Sequence, residues 1–230
     1  MKRIGILGGM SPESTVIYYR LLNEGARKAL GPLSTADCLI ASMNFGEIQA
    51  MQKAGEWDRA GDHLARAAKG LEAAGADLII LATNTMHQCA PAIETALQVP
   101  FLHIADATAA RLTAEGRNKP LLLGTAYTME QDFYKGRLSR AHGIHAMIPA
   151  PAERALIHSI IFDELVNGVV REESRSAYLA IVARHAAERA DSVILGCTEI
   201  GMLLDDGNSP LPVYDTAAIH CAVALETALA

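Results

Sequence analysis

The chain has 230 residues, half of them apolar and a fifth charged, with 20 basic against 26 acidic side chains for a formal net charge of −6. That length suits one large α/β domain or two small ones, each with a real core. No block of like charges marks a nucleic-acid or membrane-surface footprint, and no apolar run approaches the roughly 18 residues of a membrane span.

In chain order, the N-terminal "MKRIGILGG" is too short for a secretory segment and predicts a first strand over Arg3–Leu7. Ser11 followed by Pro12 signals a capped helix, Pro12–Leu30. Strands are then expected at Cys38–Ser42, Leu78–Ala82, Phe101–His103, Leu121–Leu123, His145–Ile148, Val193–Leu195 and Val213–Tyr214. Helical patterns cover Asp58–Ala74, Cys89–Leu97, Ala105–Glu115, Glu130–Ala141, Glu153–Val166 and Glu172–Ala190, with a last one from Ala217. Thr128 with Gln131 reads as a capping box for the Glu130–Ala141 helix. Alternation of this kind predicts an α/β fold with parallel sheets covered by helices on both faces.

An internal repeat divides the chain. "ADLIILATNT" (Ala76–Thr85) aligns without a gap on "ADSVILGCTE" (Ala190–Glu199), an offset of 114 residues that sets Thr83 opposite Cys197. Ahead of each copy lies a glycine-bearing strand end, "GILGGMS" and "LLLGTAYT", offset by 116 residues. Behind each lies an apolar-Pro-apolar segment, "VPFLHIAD" and "LPVYDTAA". Three landmarks in one order predict two similar half-domains related by a pseudo-twofold, with the active site in the cleft between them.

In open parallel sheets, ligands collect outside the carboxyl ends of strands. There the repeat puts Thr83, Asn84 and Thr85 in one half and Cys197, Thr198 and Glu199 in the other. Across a pseudo-twofold, Thr83 and Cys197 would address opposite faces of one bound carbon, the arrangement that stereochemical inversion requires. Cys197 follows Gly196 at a strand end and precedes a helix start, so amides and a helix dipole are expected to depress its thiol below the usual value of roughly 8.5. Thr83, Asn84 and Thr85 read equally as a cap for the following helix. Cys38, Cys89 and Cys221 read as small buried hydrophobes. Without CxxC or metal-like spacing, the four cysteines point to reduced cytoplasmic thiols. His63, His87 and His103 fit no zinc pattern. "ILGGMS" lacks the third glycine of a dinucleotide fingerprint; it is either a tight turn or a cradle for a substrate carboxylate at the start of the Pro12 helix.

The stretches "GGMSPEST", "ATNTMH", "LHIADAT", "LLGTAYTMEQDFY", "GCTEIG" and "PVYDTAAIH" resemble the cofactor-independent aspartate/glutamate racemases over essentially the whole chain. Glu199 is similar to the aspartate branch. Thr83, in place of the first of two catalytic cysteines, resembles the group specific for L-aspartate and L-glutamate. The resemblance implies that residues 1–100 plus 213–230 form the first domain and 101–212 the second. It implies Thr83 and Cys197 as acid/base residues, with Met10, Gln52, Asn84, Thr85, Thr198 and Glu199 holding an amino-acid substrate. It further implies a homodimer, no cofactor or metal, and preference for L-substrates. "FDELVNG" (Phe162–Gly168) departs from relatives that hold the distal carboxylate with a cation there, which leaves the side chain of the substrate open. Two other readings stand beside this one: a non-catalytic amino-acid-binding or sensor protein, and another thiol-dependent catalyst of the same fold, such as a hydantoin racemase, arylmalonate decarboxylase or maleate isomerase.

Overall fold

Two wholly parallel sheets organise the chain in a computed structural model that describes residues 1–230. The chain divides into a unit of residues 1–104 plus 217–230 and a second unit of residues 105–216.

In the first unit, β1 (Ile4–Gly8), β2 (Cys38–Ser42), β3 (Leu78–Leu81) and β4 (Phe101–Leu102) lie in the order β2-β1-β3-β4. Every residue of β1 and β3 is buried, as a strand covered on both faces must be. Side chains alternate between the faces. Leu7, Ile79 and Leu81 pack with Ala60, Leu64, Ala68 and Leu71 of helix α3 (Trp57–Ala73). Ile4, Ile6, Leu78 and Ile80 pack with Tyr18, Leu22 and Ala26 of α1 (Pro12–Leu30). Each fully buried leucine or isoleucine among them contributes roughly 1.5–3 kcal/mol. Ser11 caps α1 as expected, its hydroxyl accepting the Ser14 amide at 3.2 Å. One helix escaped the periodicity reading: α2 (Phe45–Ala54), capped by Asn44, whose side chain accepts from the Gly46 amide. After β3 come a single-turn 3₁₀ segment, Thr85–Cys89, and helix α4 (Ala90–Ala96), where one helix over Cys89–Leu97 was expected.

Helix α5 (Ile104–Ala114) leads into the second unit, which builds its sheet from β5 (Pro120–Gly124), β6 (Ser192–Gly196) and β7 (Val213–Asp215), in the order β5-β6-β7. Its helices are α6 (Ala126–Glu130), α7 (Asp132–His142), α8 (Pro151–Asp163) and α9 (Glu172–Ala187). Leu121, Leu123, Val193 and Leu195 pack on one face with Ile157 and Ile161 of α8 and Tyr178 and Val182 of α9. The expected capping box shifts. Thr125 caps α6 and accepts the Thr128 amide at 3.3 Å, so Thr128 lies inside a short helix, and the expected Glu130–Ala141 helix is broken at Gln131.

The repeat is legible in topology. β1, β3 and β4 correspond in order and direction to β5, β6 and β7. The expected strand at His145–Ile148 is reduced to one parallel bridge, Leu121 to Met147. It sits beside β5 as β2 sits beside β1, an eroded counterpart of that edge strand. Sheet pairing also moves the expected boundaries: β4 pairs with β3 and belongs to the first unit, and β7 pairs with β6 and belongs to the second. The breaks therefore fall at 104/105 and 216/217 instead of 100/101 and 212/213.

The chain returns to the first unit as helix α10 (Thr216–Leu229), which packs Ala217, Cys221, Ala224 and Leu225 against the α1 face. His220 fastens it. Its Nε2 donates to the Leu102 carbonyl at 2.9 Å, and its Nδ1 accepts from the Tyr18 hydroxyl at 3.0 Å. Both bonds suit a neutral ring, and burial pushes its pKa down to about 4. The unfolded chain protonates this side chain near the ordinary value of roughly 6.5, so below that pH it binds a proton that the folded chain refuses. Stability should therefore fall as pH drops from about 6.5 toward 4, by on the order of 3 kcal/mol from this group. Urea unfolding at pH 7 and pH 4.5 should show a smaller acid loss in His220→Gln than in the unsubstituted chain.

Candidate active site

The sequence-derived residues divide between the units: Met10, Gln52, Thr83, Asn84 and Thr85 in the first, Cys197, Thr198 and Glu199 in the second. Apart from Gln52, which α2 carries, each lies just beyond the carboxyl-terminal end of a strand.

In the first unit, β1 runs into Gly8 and Gly9. A Cβ at Gly8 would lie 2.6 Å from the Thr15 side chain, and Gly9 has φ +85°, a conformation that a side chain strains. This close approach lets Thr15 Oγ1 accept the Gly9 amide at 2.7 Å while donating to the Ser11 carbonyl at 3.1 Å. The loop is thus a tight strand-to-helix turn, and Met10 beyond it is buried in one cluster with Met51 and Met86. Gln52 reaches the same place, its Nε2 2.9 Å from Met86 Sδ in the turn after the β3 tip.

Thr83, Asn84 and Thr85 are all buried. The capping alternative does not hold for Thr83: Asn84 occupies the position before the 3₁₀ turn, and no side-chain bond caps it. The Thr83 hydroxyl makes no hydrogen bond within the chain. Its carbonyl, in contrast, is held by His87 Nδ1 at 2.8 Å. That partnership was missed in the sequence, where only the four-residue spacing from Thr83 to His87 hints at it.

In the second unit, Gly124 and Gly196 pair across β5 and β6, and a Cβ at Gly196 would lie 2.9 Å from the Leu123 carbonyl oxygen. Beyond this contact the chain places Cys197, Thr198 and Glu199 as a linked trio. Cys197 Sγ donates to Glu199 Oε2 at 2.9 Å, and Thr198 Oγ1 donates to the same oxygen at 2.6 Å. Cys197 is deeply set but keeps some surface open to solvent, whereas Thr198 and Glu199 are buried.

Here the structure corrects the sequence reading. The Cys197 thiol is pushed well up from its ordinary value, first by burial, then by the Glu199 charge and hydrogen bond. The amide expected to favour a thiolate is present, at Glu199, but its effect is the smallest of the four. The helix dipole is also largely missing, because the segment after Cys197 is a five-residue 3₁₀ turn, Thr198–Met202. The pair is a thiol hydrogen-bonded to a carboxylate oxygen. Of the other cysteines, Cys89 and Cys221 are buried as expected, while Cys38 on the edge strand is only half-buried.

Two parallel α/β halves, each with polar side chains at the tip of a middle strand, define the class of protein: the fold shared with the glutamate racemases of Francisella tularensis and Aquifex pyrophilus. The chain belongs to the Asp/Glu/Hydantoin racemase family, whose model matches residues 7–224. It is 44% identical to a candidate Asp/Glu racemase of Yersinia pestis, with all of both chains covered and a TM-score of 0.95. An aspartate racemase homologue from Pyrococcus horikoshii is 35% identical, again with full coverage of both, at a TM-score of 0.89. The broad specificity amino-acid racemase RacX of Bacillus subtilis is 26% identical over 240 residues, 99% of this chain and 98% of that one. The protein is an amino-acid racemase of this family, and such racemases are isomerases with no requirement for pyridoxal phosphate.

Because the Glu199 charge helps to raise the thiol, Glu199→Gln should lower the Cys197 pKa. Alkylation of Cys197 by iodoacetamide at pH 8, followed by peptide mass spectrometry, should run several-fold faster in that variant. An unchanged or slower rate would show that the carboxylate does not hold the proton on sulfur.

Proposed function

We propose that the protein racemises, without a cofactor, an amino acid of the aspartate/glutamate class, with Cys197 and Thr83 serving opposite faces of the α-carbon. The observation that carries this reading is the Cys197–Glu199 pair. A thiol held in its protonated form becomes a base only if something accepts its proton, and Glu199 Oε2 is already its acceptor at 2.9 Å. As the substrate binds, Glu199 takes the sulfur's proton and the thiolate removes the α-proton of the L-enantiomer. Asn84, Thr85, Thr198, Met10 and Gln52 hold the substrate. Amide donors near its carboxylate stabilise the enediolate-like charge that develops. Reprotonation from the other face passes through the Thr83 hydroxyl, which no hydrogen bond of the chain engages and which hands its proton to carbon as it takes one from solvent water, while Glu199 returns its proton to solvent.

The two faces are chemically unequal. A threonine hydroxyl relays a proton but does not ionise near neutral pH, and it has no carboxylate of its own. L-substrates are therefore processed faster than D-substrates. The broad specificity of the Bacillus subtilis relative and the lack of a cation in Phe162–Gly168 favour testing a panel of side chains before settling on one. The same reading includes a homodimer, for which exposed Val16, Tyr19 and Leu33 of the first unit offer apolar surface. It also includes a reducing cytoplasmic setting, which the four free cysteines suit. No helix is long and apolar enough to cross a membrane.

The test is α-proton exchange in deuterated water. L-aspartate or L-glutamate should exchange far faster than its D-form, and equal rates would contradict the unequal pair. Cys197→Ala should abolish exchange, whereas Thr83→Cys should add D-substrate activity. Binding of an amino acid with no exchange at all would favour the sensor reading.

A further inference from the structure

His87 is a buried imidazole that touches a proposed acid/base residue directly. Its Nδ1 lies 2.8 Å from the Thr83 carbonyl oxygen, which can only accept, so Nδ1 carries the hydrogen. Its Nε2 lies 3.2 Å from the Ile104 amide, which can only donate, so Nε2 carries none. These two partners define one neutral tautomer with both ring nitrogens engaged. The ring is 1% exposed and lies with its centroid 4.4 Å from that of His103, 5.8 Å from Phe101 and 6.0 Å from His220, which leaves it no room to turn over.

The two groups it joins are not neighbours in sequence. Thr83 lies past the end of β3, and Ile104 lies past β4 as the last residue of the first unit before the chain leaves it. The ladder between those strands is short, with register pairs only at Ile79–Phe101 and Ile80–Leu102. Beyond it, His87 replaces the missing rungs. The second unit solves the same problem with a smaller group: Thr216, just past β7, donates its hydroxyl to the Leu195 carbonyl of β6 at 2.8 Å. A leucine at position 87 would fill the apolar space and leave the Thr83 carbonyl and the Ile104 amide without this partner, at a cost that buried polar groups do not bear easily.

We infer that His87 is a positioning residue, which clamps the main chain of Thr83 to the end of β4 and so aims the Thr83 hydroxyl at the second face of the substrate carbon. This rests on the reading of Thr83 given above and adds the device that makes a weak proton donor usable. A hydroxyl compensates for low acidity only through placement, and a misplacement of about 1 Å costs on the order of 100-fold.

The mechanism separates two measurable rates. Exchange of the L-substrate's α-proton needs only the Cys197 face, whereas formation of the D-enantiomer needs both. With L-aspartate and L-glutamate in deuterated water, His87→Leu should lower racemisation by about 10- to 100-fold relative to L-exchange. His87→Gln, which supplies one donor and one acceptor at similar reach, should restore most of the ratio. Thr83→Ala serves as the reference for the split. If it separates the two rates and folded His87→Leu lowers both in step, or neither, the positioning role is overturned while the Thr83 reading stands. If Thr83→Ala itself causes no split, both fall. Should the leucine variant not fold, His87→Asn, too short to span both partners, takes its place against His87→Gln, and equal ratios in the two overturn the proposal. A readout independent of turnover is the imidazole ¹⁵N spectrum of the unsubstituted chain: His87 protonated at Nδ1 and bare at Nε2 is expected, and the opposite tautomer would overturn the clamp.

Discussion

Burial of β3 and β6 on both faces of a parallel sheet is the constraint on which the rest of this structure depends. Within such a strand every side chain meets a helix-covered core, and a polar group there would lose its water without a replacement. Leu78 through Leu81 and Val193 through Leu195 are accordingly apolar and buried. The polar groups of the candidate site follow just past the last ladder rung, where backbone amides lose their strand partners. Thr83 and Cys197 each stand one residue or so beyond that limit. The glycines at the ends of β1, β5 and β6 belong to the same constraint, because they let neighbouring strands and threonines approach until the tips are held without side-chain bulk between them.

At the second tip, burial and charge act against the naive expectation of a reactive thiolate. Removing water from Cys197 favours the neutral thiol, and placing Glu199 beside it adds repulsion against a sulfur anion. Two anions at hydrogen-bond distance in such a place would repel strongly, which keeps the proton on sulfur. Thr198 donates to the same carboxylate oxygen and helps to hold it beside the sulfur.

The duplication is faithful in architecture and unfaithful in detail. Strand order and direction repeat, yet the edge strand β2 survives in the second half only as the bridge at Met147. One tip carries a thiol with a carboxylate partner, the other a hydroxyl whose main chain is gripped by an imidazole. Topology tolerates this divergence because each sheet has its own core and the tips lie at its border. The polar cluster of His87, His220 and Tyr18 is particular to the first unit, where α10 returns and fastens to β4 through Leu102.

Local pattern determined a good deal. Apolar runs of four or five residues, the Ser11–Pro12 start, the 114-residue offset and the "NT" and "GCTE" tips were sufficient for the parallel strands, the duplicated halves and the positions of Thr83, Cys197 and Glu199, because buried strands and capped helices write their periodicity into adjacent residues. α2 stayed hidden because its buried side chains, Ile48, Met51 and Gln52, form too sparse and mixed a stripe, and the Thr128 cap was misplaced because Thr125 offers the same chemistry three residues earlier. Only tertiary structure decided that β4 joins the first sheet and β7 the second, that His87 grips the Thr83 carbonyl and that Cys197 is a thiol bonded to Glu199. Pairing across a sheet, desolvation and the distance between two charges are set by how the folded chain brings groups together, and none of them leaves a local mark.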